Sequence, residues 1–263
     1  MTKENNLNVL VDQAQSLINK KEFDKAIPIY EEIIKKDSKN PKVLSNLAIL
    51  YLMKERYIDG INMIHRSFEV TLPIIGDYQN LATAYDALKD YKNAIKAYEE
   101  IIKINSNTPD IYKLLGDSQI KVLDYNEAIY SFKKALEKKP DKFQSIYDYG
   151  MILAKCLHHE EALKYLRAAL KIDPNHLECM YLIGDCLSSI CNYEEAKIMY
   201  KKLMILIPNA VDPHMCYAAN LMFEGKYDEP VKIYKNILIK KPNSHKVRNN
   251  LGMLHMVNKK FKA

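Results

Sequence analysis

The stretch HLEC at positions 176–179 sets two metal-capable side chains, His176 and Cys179, three residues apart. On a helix that spacing places both on one face, as the first two ligands of a zinc site would be. The pair falls at the end of a repeating segment. It reads as a surface histidine next to a packed cysteine. His158 and His159 adjoin at a turn, where an imidazole titrating near neutrality could do acid–base work. His159 holds a position that is aromatic elsewhere, so packing is its expected role. The five cysteines (Cys156, Cys179, Cys186, Cys191, Cys216) form no C-x-x-C pair and lie in helical stretches. They read as reduced thiols of a cytosol-like, cytoplasmic compartment. No phosphate-binding glycine loop, G-x-S-x-G or H-E-x-x-H occurs. The chemistry-bearing residues therefore predict no enzyme, no metal and no cofactor, and function is expected on a binding surface.

The elements that would carry such a surface are announced by period. Ala26, Gly60, Ala94, Ala128, Ala162, Ala196 and Pro230 follow one another at steps of 34 residues without insertion or deletion. Three residues earlier stand Phe23, Tyr57, Tyr91, Tyr125, His159, Tyr193, Tyr227 and Phe261; four later stand Tyr30, Ile64, Tyr98, Phe132, Leu166, Tyr200 and Tyr234. Twelve before the first series, every position is small: Ala14, Ala48, Ala82, Gly116, Gly150, Gly184, Ala218 and Gly252. Pro140, Pro174, Pro208 and Pro242 end the later units. Within one unit, Tyr112, Leu115, Gly116 and Gln119 make one helical stripe, and Tyr125, Ala128, Ile129, Phe132 and Ala135 make a second. Small residues let the paired helices approach, and the aromatics fill the space beside them. Such a hairpin cannot bury its apolar face alone and must stack on copies of itself.

These slots resemble the tetratricopeptide repeat. Seven units are read, 7–40, 41–74, 75–108, 109–142, 143–176, 177–210 and 211–244, with a partial eighth at 245–263. The resemblance implies one all-α domain over 1–263, a right-handed superhelical solenoid of antiparallel helix pairs. First helices would line a concave groove and second helices would form the back. Gly60, Ile64 and Leu72 depart from the pattern, so the junction of the second and third units is expected to be looser. Pro28 is expected to distort its helix; Pro230 falls in a first turn and should be tolerated. The apolar last helix predicts that the chain is a fragment of a longer one, with a bare cap as the alternative.

The expected groove stripe includes Asn46, Asn80, Asp86, Lys113, Asp117, Tyr147, Asp148, Tyr181 and Asp185, with Asp110, Glu178 and Asp212 near helix starts and Lys121 and Lys155 between them. Although the chain carries a formal net charge of +6, this stripe reads acidic, and a concave acidic wall attracts a basic partner. The predicted partner is a protein or peptide segment bearing Lys or Arg. Nucleic acid is not predicted, because the basic excess is small and unclustered. No run approaches 18 apolar residues, so no membrane span is read, and the start lacks the apolar core of a signal peptide. Tetratricopeptide co-chaperones that grip chaperone tails place Asn one turn after their leading Lys. Asp117 stands there after Lys113, and the clamp is read as absent. Asn46, Asn80 and Asn250 resemble part of the asparagine ladder of O-linked N-acetylglucosamine transferase, interrupted by Leu114, Asp148, Leu182 and Cys216. Three functions are thus open: a binding scaffold, a recruiting arm of a larger enzyme such as a glycosyltransferase, and a module that self-associates through exposed end helices.

Overall fold

A computed structural model describes residues 3–140 and 142–261, with side chains described over 7–140 and 142–256. It contains fifteen α-helices and, among the described residues, no strand. The first helices of the repeats are α1 (Lys3–Asn19), α3 (Pro41–Met53), α5 (Ile75–Ala87), α7 (Pro109–Lys121), α9 (Phe143–Lys155), α11 (Leu177–Ser189), α13 (Val211–Phe223) and α15 (His245–Phe261). The second helices are α2 (Phe23–Lys36), α4 (Tyr57–Phe68), α6 (Tyr91–Ile104), α8 (Tyr125–Lys138), α10 (His159–Ile172), α12 (Tyr193–Leu206) and α14 (Asp228–Lys240). The chain divides into two compact units, Met1–Lys138 and Lys139–Ala263, and each is a stack of helical hairpins. Phe261 lies outside the described side chains.

In both units the core sits where small and large slots meet. Ala14, Ala26, Ala48, Ala82, Ala94, Ala128, Ala162, Ala196 and Ala218 are almost fully buried, as are Tyr30, Ile64, Phe132, Leu166, Tyr200 and Tyr234. A Cβ on Gly116 would come within 2.8 Å of the Phe132 ring, and one on Gly150 within 2.9 Å of Leu166. The glycines at this slot exist because a large side chain lies across their helix at contact distance. Gly252 is the exception: it is exposed, and nothing lies within 4 Å of a Cβ there.

The turn inside each hairpin follows one rule. The αL residue after the first helix is Lys21, Glu55, Lys89, Leu123, Leu157, Cys191 and Gly225, with φ between 59° and 77°. The next residue donates its N–H to the carbonyl five back, at 2.8–2.9 Å in every hairpin from Glu22→Leu17 to Lys226→Leu221. This is the Schellman closure, which normally selects glycine. Here only the seventh hairpin has it, so stacking of the hairpins imposes the conformation on side chains that disfavour it. Asp90 and Asn192, the last residues of their turns, then cap α6 and α12 by accepting N–H bonds from Asn93 and Glu195.

Pro28 lies within an uninterrupted α2, and Pro230 is buried in α14. Between α4 and α5 the chain runs through six residues; Asp77 accepts the Ile74 N–H at 3.0 Å and fixes the start of α5.

Candidate protein-interaction surface

The predicted groove residues fall on first helices, but several of them hold the hairpins together. In the first unit, Asn46 donates from Nδ2 to the Tyr30 hydroxyl at 3.1 Å. Asp86 accepts from Tyr98 at 2.5 Å and from Ser118 at 3.2 Å, which ties α5, α6 and α7. Burial, followed by the Asp86 charge, pushes the Tyr98 hydroxyl far up, so the proton stays on the tyrosine. Lys113 and Asp117 form an i,i+4 ion pair at 2.9 Å and largely cancel each other. Asn80 is half-buried, and the preceding hairpin offers Ile64 in place of a tyrosine hydroxyl. Of the asparagine series, Asn46 is therefore a structural link, while Asn80 stands sixteen residues after Ile64, which has no hydroxyl to offer it.

In the second unit, Asp185 accepts from Tyr200 at 2.7 Å, while Ser188 donates to Asn220 at 3.0 Å, so α11, α12 and α13 are joined as α5, α6 and α7 are. Asp148 is buried and accepts from Gln144 at 2.7 Å. It is thus removed from the surface on which its charge was expected. Asp185, Glu178 and Asp212 remain exposed. Lys246 lies 3.2 Å from Asp212, as an exposed pair that water screens. Tyr181 is half-buried beside Asp185 and Asp212; burial first, and the Asp212 and Asp185 charges next, push its hydroxyl up to about 12. The local field on this face is negative.

Next to it lies an aromatic cluster. Tyr147 stacks on Phe143 with centroids 5.7 Å apart, and the His176 ring sits 4.7 Å from Phe143 and 4.9 Å from Tyr147. His176 caps α11, its Nδ1 accepting the Cys179 N–H at 3.1 Å, and Glu178 approaches that ring at 3.6 Å. The HLEC spacing thus serves a helix start, and Cys179 is buried with its thiol donating to the Leu166 carbonyl at 3.2 Å. A cavity of about 280 Å³ opens between α9 and α11, with Met151, Ala154, Leu182 and Cys186 as apolar wall and Lys155, Asp185 and Ser189 as polar edge. His159 lines it too, and its Nδ1 is buried without a hydrogen-bond partner. Sequence reasoning missed the hydroxyl links. For the asparagine links a signal was available in the recurrence of a Tyr slot followed sixteen residues later by Asn, as in Tyr30–Asn46 and Tyr234–Asn250; the aspartate links of Tyr98 and Tyr200 keep no common spacing.

Stacked hairpins of constant length, with side chains of adjacent first helices forming the open face, define a helical-repeat binding protein. Profiles described as tetratricopeptide repeat match residues 8–40 and 78–108, and that of the anaphase-promoting complex, cyclosome, subunit 3 family matches 122–203. The chain belongs to the tetratricopeptide-repeat family. It is similar to serine/threonine-protein phosphatase 5 of Rattus norvegicus, 27% identical over 101 residues that cover 38% of this chain and 20% of the phosphatase. It is also similar to Hsp70-Hsp90 organizing protein 1 of Arabidopsis thaliana, 26% identical over 134 residues covering 47% of this chain and 23% of that protein. The chain spans about a fifth of the length of these curated relatives. The C-terminal part of a TPR repeat-containing protein from Cytophaga hutchinsonii has the same fold, with TM-score 0.73 and 16% identity over 91% of this chain and 98% of that one. No helix among the described residues is long and apolar enough to cross a membrane.

Proposed function

We propose that the chain is a non-catalytic scaffold that binds a basic protein segment across the first-helix face of its second unit. The observation that carries this reading is Tyr181, an amphipathic ring flanked by the exposed carboxylates of Asp185 and Asp212. Tyrosine is enriched at binding hot spots, and an arginine or lysine over its face gains both the ring quadrupole and the carboxylates. The Phe143–Tyr147–His176 cluster extends the platform, and the cavity at Asp185 would receive an apolar side chain adjacent to the basic one. Asn46, Asn80, Asp86, Lys113 and Asp117 are proposed as a weaker, internally bonded set of contact residues within the first unit. The seven units are taken as one array, 1–263.

The test is calorimetric titration of the chain with paired peptides of opposite charge and equal apolar content. The basic peptide should bind at least tenfold tighter, and Asp185→Lys combined with Asp212→Lys should erase that preference. Equal binding of both peptides would defeat the reading. A second reading, a recruiting arm of a larger enzyme, is favoured by the likeness to a phosphatase of which the matched region is one fifth.

A further inference from the structure

The second helices of the second unit carry a separate feature. Four residues before the small slots of the first helices stand apolar side chains: Leu44, Tyr112, Ile146 and Met180 are buried, and Leu10 and Tyr78 are partly buried against the core. One step on, the series breaks at His214. Its Nδ1 donates to the Ala210 carbonyl at 2.9 Å, one turn back on its own helix, which holds the ring at the start of α13. At that place a cavity of about 780 Å³ opens among the end of α12, the start of α13 and the end of α14. Its size is that of a small-molecule site, roughly 300–1,000 Å³.

The chemistry of the walls narrows the ligand. Met204, Val211, Ile233 and Ile237 form an aliphatic interior, and Ile239 stands at the edge, 79% exposed. Lys240 and Lys241 lie at the same edge, and among the described residues no carboxylate lines the cavity. The acids of α12 and α14 are confined to the opposite ends, Glu194 and Glu195 in one and Asp228 and Glu229 in the other. Lysines near a helix end answer its dipole, but that does not explain an aliphatic hollow beside them. At the start of α13 the cap residue Ala210 supplies no side-chain hydrogen bond, which leaves the first-turn N–H groups of Val211 and Asp212; Pro213 has none. An apolar interior with a cationic edge and free-standing amides is complementary to an apolar chain ending in an anion. A peptide would bring an amide group per residue, each requiring a partner. Besides the lysines, the polar side chains available are Asn209, His214 and Asn236. An acyl chain brings no such demand.

We propose that this cavity is a binding site for an acyl-chain carboxylate, with the chain among Met204, Val211, Ile233 and Ile237 and the carboxylate at Lys240 and Lys241. The site is independent of the acidic first-helix face. The probe is dodecanoate below its micelle concentration, titrated calorimetrically into the full chain beside dodecylammonium and dodecanol. One-to-one saturable binding of dodecanoate is the expected result, at least tenfold tighter than dodecylammonium. His214→Met puts into the cavity wall the apolar residue that Met180 supplies one repeat earlier, and should weaken dodecanoate tenfold or more without lowering the melting temperature. Lys240→Glu with Lys241→Glu, at exposed positions, should reverse the order of the two charged probes. If His214→Met melts early, that lysine pair decides. Absence of saturable binding, an unchanged order in the lysine variant, or binding of an acidic amphipathic peptide but not of dodecanoate would each overturn the proposal.

Discussion

Tyr98 and Tyr200 occupy the same slot of their hairpins, and each donates a hydrogen bond from its hydroxyl to an aspartate of the first helix. A buried hydrogen bond to a charged group contributes more than a neutral one, so Tyr98→Phe should destabilise the chain by about 1.5–3 kcal/mol, measured by urea unfolding. The same chemistry sets a pH limit. Tyr51 donates to Glu31 at 2.7 Å; burial first, and the Glu31 contact next, push its hydroxyl from 10.0 up to about 12. A raised folded value means that the neutral form is the one the fold favours. The stabilisation is present below the unfolded value of 10.0 and is lost as pH rises through about 12. Unfolding free energy measured at steps from pH 9 to 12 should fall across that window, and Tyr51→Phe should flatten part of the fall.

Helix by helix, the sequence was an accurate guide wherever one residue type answers one steric demand. The glycines opposite Phe132 and Leu166 and the alanines opposite Tyr30 and Tyr98 could be placed by spacing, because packing distance admits nothing larger there. The candidate site was less legible. Asp86, Asp148 and Asp185 share a stripe in sequence, yet Asp86 and Asp185 accept tyrosine protons and Asp148 is buried. Periodicity reports which way a residue points; its partner on the neighbouring helix decides whether its charge reaches solvent. The left-handed turns were invisible for a related reason: only Gly225 signals one, while six others are held by stacking. Leu157 combines that disfavoured backbone with 74% exposure. Replacing it by glycine removes the Cβ conflict and should stabilise the chain by about 1 kcal/mol, raising the melting temperature by about 2 °C.

For the molecule as a whole, net charge and local charge point in opposite directions. The chain is basic by six, but the exposed acids Glu178, Asp185 and Asp212 gather on first helices of the second unit, while the exposed Lys201 and Lys202 of α12, Lys235 and Lys240 of α14, and Lys241 just after it, belong to second helices. One chain therefore offers an electronegative and an electropositive surface, and binding of a basic peptide to the former should weaken as salt approaches the Debye length of contact distances, about 3 Å at 1 M. The uniform turns carry a further implication for how such a chain can change over generations. Six of the connections within hairpins are three residues long, and each is closed by the same crossed hydrogen bond. One added residue inside a helix would rotate everything after it by about 100°, taking the two sides of the insertion out of register with each other. Gain or loss of a whole 34-residue cassette leaves each joint intact. The molecule is thus written in words and tolerates editing only by the word.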